Sequence, residues 1–375
     1  MEPLSTPYIF YLAGIFIAFF CSILIIGKRK KVTADYILAL WFFIIGIHLA
    51  LFLFIFSGEY ERFPYVLGVE VPIPLIHGPM LYLYVLNLTR QNKLKYYGYL
   101  HFIPVMIIYF TLFDFFRLPS VDKISVYRNN GCGYKDLRKY VSILILVSGV
   151  VYTLLSFLLV REYKKKISEQ FSNTEKINLN WTYYLIVSIA LIWVAVFLKN
   201  DLIIFTLVVI FIVLAAYFGI NKVGILNPAD IQEIHEKEEK VNVEVAPAKY
   251  QKTLISEKSL QLIYQKLNER MESEKIFKDP ELNLNQVAEM LNVHPNTLSQ
   301  TINSIENKNF YDYINRKRIE EFKRIAVLPE NQKFTILSLA FESGFNSKTS
   351  FNRNFRKYMN CSPREFLKSQ NVNLE

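Results

Sequence analysis

Long apolar runs fill the first 220 residues, each closed by a short charged or proline-containing interval. Crossing the hydrocarbon core of a bilayer as a helix takes about 20 such residues. Seven runs approach that length: 8–27, 36–56, 71–89, 98–116, 141–160, 181–198 and 202–220. The first has neither a basic leading stretch nor a small-residue cleavage site, so it predicts a membrane helix and not a removed signal peptide. The third contains Pro72, Pro74 and the pair Gly78-Pro79, and each proline ring removes a helical hydrogen bond. A broken helix there frees backbone groups to line a cavity, or simply kinks and packs.

Beyond residue 252 the pattern changes to short amphipathic helices. Ser256 is placed to cap one that carries Leu260, Ile263, Leu267 and Met271 at helical spacing and ends before Asp279-Pro280. Asn283 and Gln286 have the spacing of a capping box and open a short helix through Val287, Ala288 and Leu291. Asn292-Val293 makes a turn, and Pro295 suits the first position of the next helix, over 294–303, which Leu298 and Ile302 hold to a core. A long helix over 310–327 turns Ile314, Ile319, Phe322 and Ile325 inward and stops before Pro329.

Thr335 then opens a second helix pair, with Ile336, Leu339 and Ala340 on its first member and a turn at Gly344-Phe345. The following helix, over 347–358, exposes Lys348, Thr349 and Arg353. Glycine at the turn is free to take φ > 0, and Ala288 and Ala340 are small where two helices cross. Between the two regions, 221–252 reads as a charged connector, a short helix followed by flexible chain. The fold class that follows is all-α. A seven-helix transmembrane domain over 1–220 leads through the linker 221–252 and a connecting amphipathic helix over 253–280 to a double helix-turn-helix module over 281–370.

Charge sharpens this division. Residues 1–226 hold 21 Lys/Arg against 12 Asp/Glu, whereas 227–375 hold 22 against 21. Within the second part, residues 308–368 carry 13 basic and 6 acidic side chains, a local excess suited to a phosphate-facing surface or to a plain solvated basic face. The intervals 28–31, 90–95 and 161–176 together hold 12 basic residues against 8 in the opposite set, so the first set is assigned to the cytoplasm. With the N-terminus outside, seven crossings leave the C-terminal module in the cytoplasm, beside DNA.

Chemistry inside the apolar runs is sparse. His48, His77, His101 and Asp114 are the polar candidates, and intramembrane ionisable groups are site hypotheses by default; packing or interfacial roles account for the same residues. His77, beside the prolines, and His101 are retained as candidate ligand-binding positions. Cys21, Cys132 and Cys361 have no metal-ligand spacing and no disulfide framework. The chain contains no His-Glu-x-x-His, no Gly-x-Ser-x-Gly and no phosphate-cradling glycine loop, so neither an enzyme nor a cofactor is expected.

One helix-turn-helix is a common pattern; two about fifty residues apart, bridged by a long helix, are far more specific. The second unit carries Ala340, Gly344-Phe345, Ser347, Phe351, Arg353, the run Phe355, Arg356, Lys357, and Ser362-Pro363 ahead of Phe366. In these positions the chain resembles the AraC/XylS family of bacterial transcription regulators, over residues 282–368. More loosely, Gly78-Pro79, His101 with Pro104, and the stretch 298–303 are similar to the membrane-embedded members of that family found in Bacteroidetes. Three positions depart from the soluble members' pattern: His294 replaces a serine cap, Gln300 an arginine and Ile302 a phenylalanine.

The resemblance implies that the second helix of each unit enters successive major-groove segments about 34 Å apart. By matching positions, Asn296, Ser299 and Gln300 would read bases in one groove, and Lys348, Thr349 and Arg353 in the other. Arg353 suits guanine and Gln300 adenine. Arg316, Lys317, Arg356 and Lys357 would hold phosphates. The expected partners are double-stranded DNA, the lipid bilayer, a second copy of the chain as a homodimer, and an unidentified signal ligand or membrane partner. The alternative is a membrane transporter or receptor whose C-terminal helices are an accessory or protein-interaction domain.

Overall fold

The computed structural model describes residues 6–89, 97–175, 177–221 and 257–372, and every regular element among them is a helix. The connector over 222–256, including the Ser256 cap, and the whole 90–95 interval lie outside the described residues. Two compact units emerge, one of Met1–Tyr163 with Leu179–Ile225, the other of Lys164–Asn178 with Leu226–Glu375.

Up to residue 221 each apolar run becomes helical: α1 (Thr6–Ile26), α2 (Thr33–Phe56), α3 (Pro74–Leu88), α4 (Ile103–Thr111), α5 (Phe113–Arg117), α6 (Ser120–Arg128), α7 (Lys135–Gln170), whose last turns belong to the second unit, α8 (Asn180–Phe197) and α9 (Asp201–Asn221). Five of these, α1, α2, α7, α8 and α9, are long and apolar enough to cross a membrane. The third and fourth runs are shorter than the sequence suggests. Pro72 and Pro74 delay α3, leaving 15 residues with Pro79 inside; at 1.5 Å per residue that is about 22 Å, less than the ~30 Å hydrocarbon core. The fourth run divides into a 3₁₀ turn over Gly98–Phe102, then α4, then α5.

A core of α1, α2, α8 and α9 is built from Ala18, Leu38, Trp41, Phe42, Leu185, Phe211 and Ala215, all essentially inaccessible. Many outward positions are apolar too, such as Phe16, Ile23, Phe110, Leu154 and Phe197, as expected where the surrounding solvent is lipid. Asp35, 1% exposed, is held in this unit by Lys28 Nζ at 2.7 Å and by the Val32 amide at 2.9 Å, while Lys28 also donates to the Gly219 carbonyl at 3.0 Å. A buried carboxylate persists because it is paired. Lys28 thus joins the α1–α2 turn to the end of α9, which loop-charge arguments do not reveal.

The second unit contains α10 (Glu257–Ser273), α11 (Leu284–Met290), α12 (Pro295–Glu306), α13 (Phe310–Ala326), α14 (Ile336–Glu342), α15 (Lys348–Met359) and α16 (Pro363–Ser369). It has two cores, and α13 belongs to both. Leu267, Val287, Ala288, Leu298 and Ile302 close on Phe310, Tyr313 and Ile314. Leu339, Ala340, Phe345, Phe351 and Phe355 close on Ile319, Phe322, Ile325 and Ala326. Asn283 and Gln286 bond reciprocally at 3.0 and 2.9 Å, as their spacing predicts, and Thr335 caps α14; Ser347 caps α15, and Ser362 with Glu365 forms a further capping box on α16.

Candidate nucleic-acid interface

Each helix-turn-helix turn is set by a residue in the left-handed region: Asn292 at φ 54 in the first unit and Gly344 at φ 96 in the second. Gly344 is constrained twice. A Cβ there would stand 2.6 Å from the Phe277 carbonyl oxygen and 3.0 Å from Arg318 Nε, so the turn requires both positive φ and the absence of a side chain.

The second helix of each unit is divided cleanly between core and solvent. On α12, Leu298, Thr301 and Ile302 are buried, while Asn296 and Gln300 are exposed and Ser299 is half-buried between them. On α15, Ser350, Phe351, Asn354 and Phe355 are buried, while Lys348, Thr349, Arg353, Arg356 and Lys357 are exposed. All six expected base-reading residues therefore lie on the outer faces of these two helices. Ile302 is fully buried and fills the core position. His294 performs the cap itself, its Nδ1 accepting the Asn296 amide at 3.2 Å.

Arg353 has an anchor that no local pattern encodes. Its Nη2 donates to the Tyr311 hydroxyl on α13 at 2.7 Å, and the same hydroxyl accepts Asn354 Nδ2 at 2.8 Å. The guanidinium carries five N–H donors in a fixed fork, so one bond to Tyr311 orients Arg353 and leaves Nη1 and Nε for a second partner.

The four expected phosphate contacts divide into two kinds. Arg316 pairs with Glu306 at 3.1 Å and Glu320 at 2.9 Å, and Lys357 pairs with Asp312 at 2.5 Å. The side chains of Lys317 and Arg356 have no ion pair or hydrogen bond among the described residues. Both latter cations are available to an external anion without first breaking an internal pair.

Residues 287–369 match a helix-turn-helix domain. The matched family model is of the AraC type; the match begins within α11 and covers the rest of both helix-turn-helices and the whole of α13. No match is found among curated proteins or among solved structures. Such a domain is a DNA-binding element of transcription regulators and not an enzyme, and the chain joins it to helices long and apolar enough to cross a membrane.

The two candidate ligand histidines are engaged within the first unit. Trp41 Nε1 donates to His77 Nδ1 at 3.2 Å, which leaves Nε2–H of His77 to donate to His48 Nδ1 at 3.0 Å. His101 Nδ1 lies 3.0 Å from the Tyr152 hydroxyl, and its ring packs edge-on against Tyr82. Asp114 is exposed, in the short helix α5. Among the described residues, no group of three or more metal-ligating side chains occurs.

Proposed function

We propose that this chain is a membrane-embedded, sequence-specific transcription regulator whose two helix-turn-helix units read adjacent major-groove segments of one duplex. The observation carrying this reading is the pair of outward helix faces, one bearing Asn296, Ser299 and Gln300, the other Lys348, Thr349 and Arg353, joined through one shared helix. In it, Arg353 reads guanine, Gln300 reads adenine, and Lys317 and Arg356 hold phosphates. Arg316 and Lys357 reach the backbone only by exchanging an internal carboxylate for a phosphate.

The membrane part crosses the inner membrane seven times, N-terminus outside, with α3 and the interrupted helical segment over 98–116 completing the count. Support for this topology comes from the interval 161–176, assigned to the cytoplasm on charge, which from Lys164 on belongs to the same compact unit as the DNA-binding helices. The membrane part receives an envelope or membrane signal and passes it to the DNA-binding unit, in one copy or in a homodimer.

Full-length protein in lipid nanodiscs tests the DNA reading by comparison of Arg353→Ala with Arg356→Ala. The expected result is that Arg353→Ala relaxes preference at one base position, whereas Arg356→Ala weakens binding alike on every sequence. Equal weakening on all sequences by both variants overturns the base-reading role.

A further inference from the structure

Among the described residues of the second unit Arg318 is the most deeply buried cation, 2% exposed, and every one of its donors is used. Nε donates to the Phe277 carbonyl at 2.7 Å, Nη1 to the Ser172 carbonyl and Asn315 Oδ1 at 3.3 Å each, and Nη2 to Ser172 Oγ at 3.0 Å and the Asp279 carbonyl at 2.7 Å. Two of these five bonds go to Ser172. That residue lies in the segment between α7 and α8, two of the helices long and apolar enough to cross a membrane.

Ser172 is itself sealed in, at 1% exposure. Its hydroxyl and its amide both donate to the Leu282 carbonyl, at 2.6 and 3.2 Å, and its own carbonyl also accepts Asn315 Nδ2 at 2.9 Å. Phe171 pairs with Asn283 as an isolated antiparallel bridge, and Asn309 Nδ2 reaches Ser168 Oγ at 3.3 Å. The contacts converge on one point. Leu282 and Asn283 lead into the first helix-turn-helix, Asn309, Asn315 and Arg318 belong to or cap the shared helix α13, and Arg318 packs under Gly344, the turn of the second.

We propose that residues 164–178 are a docking strap through which the membrane part grips the DNA-binding unit where its two halves meet. The grip is polar, shape-specific and independent of the connector 222–256. Because the C-terminal end of α7 leads into this strap, a shift of that end is delivered through Ser172 to Leu282, ahead of the first helix-turn-helix, and to Arg318 beneath the turn of the second. This coupling role rests on the membrane-regulator reading above. The docking itself does not, and its test uses no DNA.

The test uses the full chain in nanodiscs with a protease site inserted between Ala246 and Pro247. After complete cutting, the C-terminal piece is expected to stay with the discs in gel filtration, held by the strap alone. Ser172→Trp, which cannot fit the sealed position, is expected to release it, whereas Lys165→Ala, on an exposed position, retains it. Release with Ser172 intact overturns the proposal. Amide exchange at Ser172 in uncut protein guards against misfolding of the tryptophan variant. Slow exchange, comparable to that of α13, supports the strap, and exchange as fast as open chain overturns it. DNA binding of the same samples is scored separately, so either reading can fail alone.

Discussion

Arg353 shows what an exposed arginine gains from a neighbour. Fixed to Tyr311 at 2.7 Å, it presents its remaining donors in a defined direction, and a pre-oriented fork loses less freedom on meeting a base edge. Arg353→Ala is expected to cost about 1–3 kcal/mol on the preferred sequence and much less elsewhere. Competition binding on single-base variants measures this. Tyr311→Phe keeps Arg353 but removes its anchor and one acceptor of Asn354, so it should cost roughly 1 kcal/mol of domain stability and weaken discrimination at the same base. An unchanged specificity profile for Tyr311→Phe would show that the anchor is irrelevant to reading. Gly344→Ala is expected to be worse than either for folding. It combines strain of about 1–3 kcal/mol with a 2.6 Å approach to the Phe277 carbonyl oxygen, and thermal unfolding reads the loss. Exposure of Lys348, Thr349 and Arg353 was legible in the sequence because it follows from helical spacing. The Tyr311 bond was not, since it joins residues 42 apart along the chain.

Among the elements, α13 decides the arrangement of the DNA-binding unit, contributing to both cores and carrying Arg318 and Glu321 between them. Phe322 is fully buried against Phe351 and Phe355, with ring centroids at 4.7 and 5.6 Å, so Phe322→Ala should destabilise by about 3–5 kcal/mol. Glu321, 5% exposed, bonds Arg324 at 2.8 Å and Lys275 at 2.9 Å and lies 3.3 Å from Lys278. The bond to Arg324, with Lys275 beside it, holds its carboxyl down at about 2, against 4.5 for the free group. A depressed folded-state pKa adds stability above the unfolded value and loses it as pH falls. The contribution, on the order of 3 kcal/mol, is therefore expected to be whole above pH 4.5 and to fade towards pH 2. Glu321→Gln should lower stability at pH 7 and flatten the unfolding midpoint across that interval. The helices of this unit were readable in advance because their caps are local signals. The third and fourth apolar runs were not read as well, since composition counts apolar residues and cannot say where prolines or a 3₁₀ turn interrupt them.

At the level of the whole chain, apolar spacing and charge separate a membrane part from a DNA-binding part without any coordinates. What they leave out is the connection. Sequence reading treats 221–252 as the link between the two parts and 161–176 only as a basic loop. The burial of Ser172 beneath Arg318 depends on residues 146 apart, beyond any local pattern, and it is the contact on which the proposed strap rests. The central claim, that two helix-turn-helix units on one membrane-embedded chain read one duplex together, is tested most directly by selection from a random duplex pool with the full-length protein in nanodiscs. The account predicts a bipartite motif whose halves lie about one helical turn, roughly 10 base pairs, apart, with the half read by Lys348, Thr349 and Arg353 lost in Arg353→Ala. Recovery of no common motif, or of one unchanged by that substitution, would contradict it.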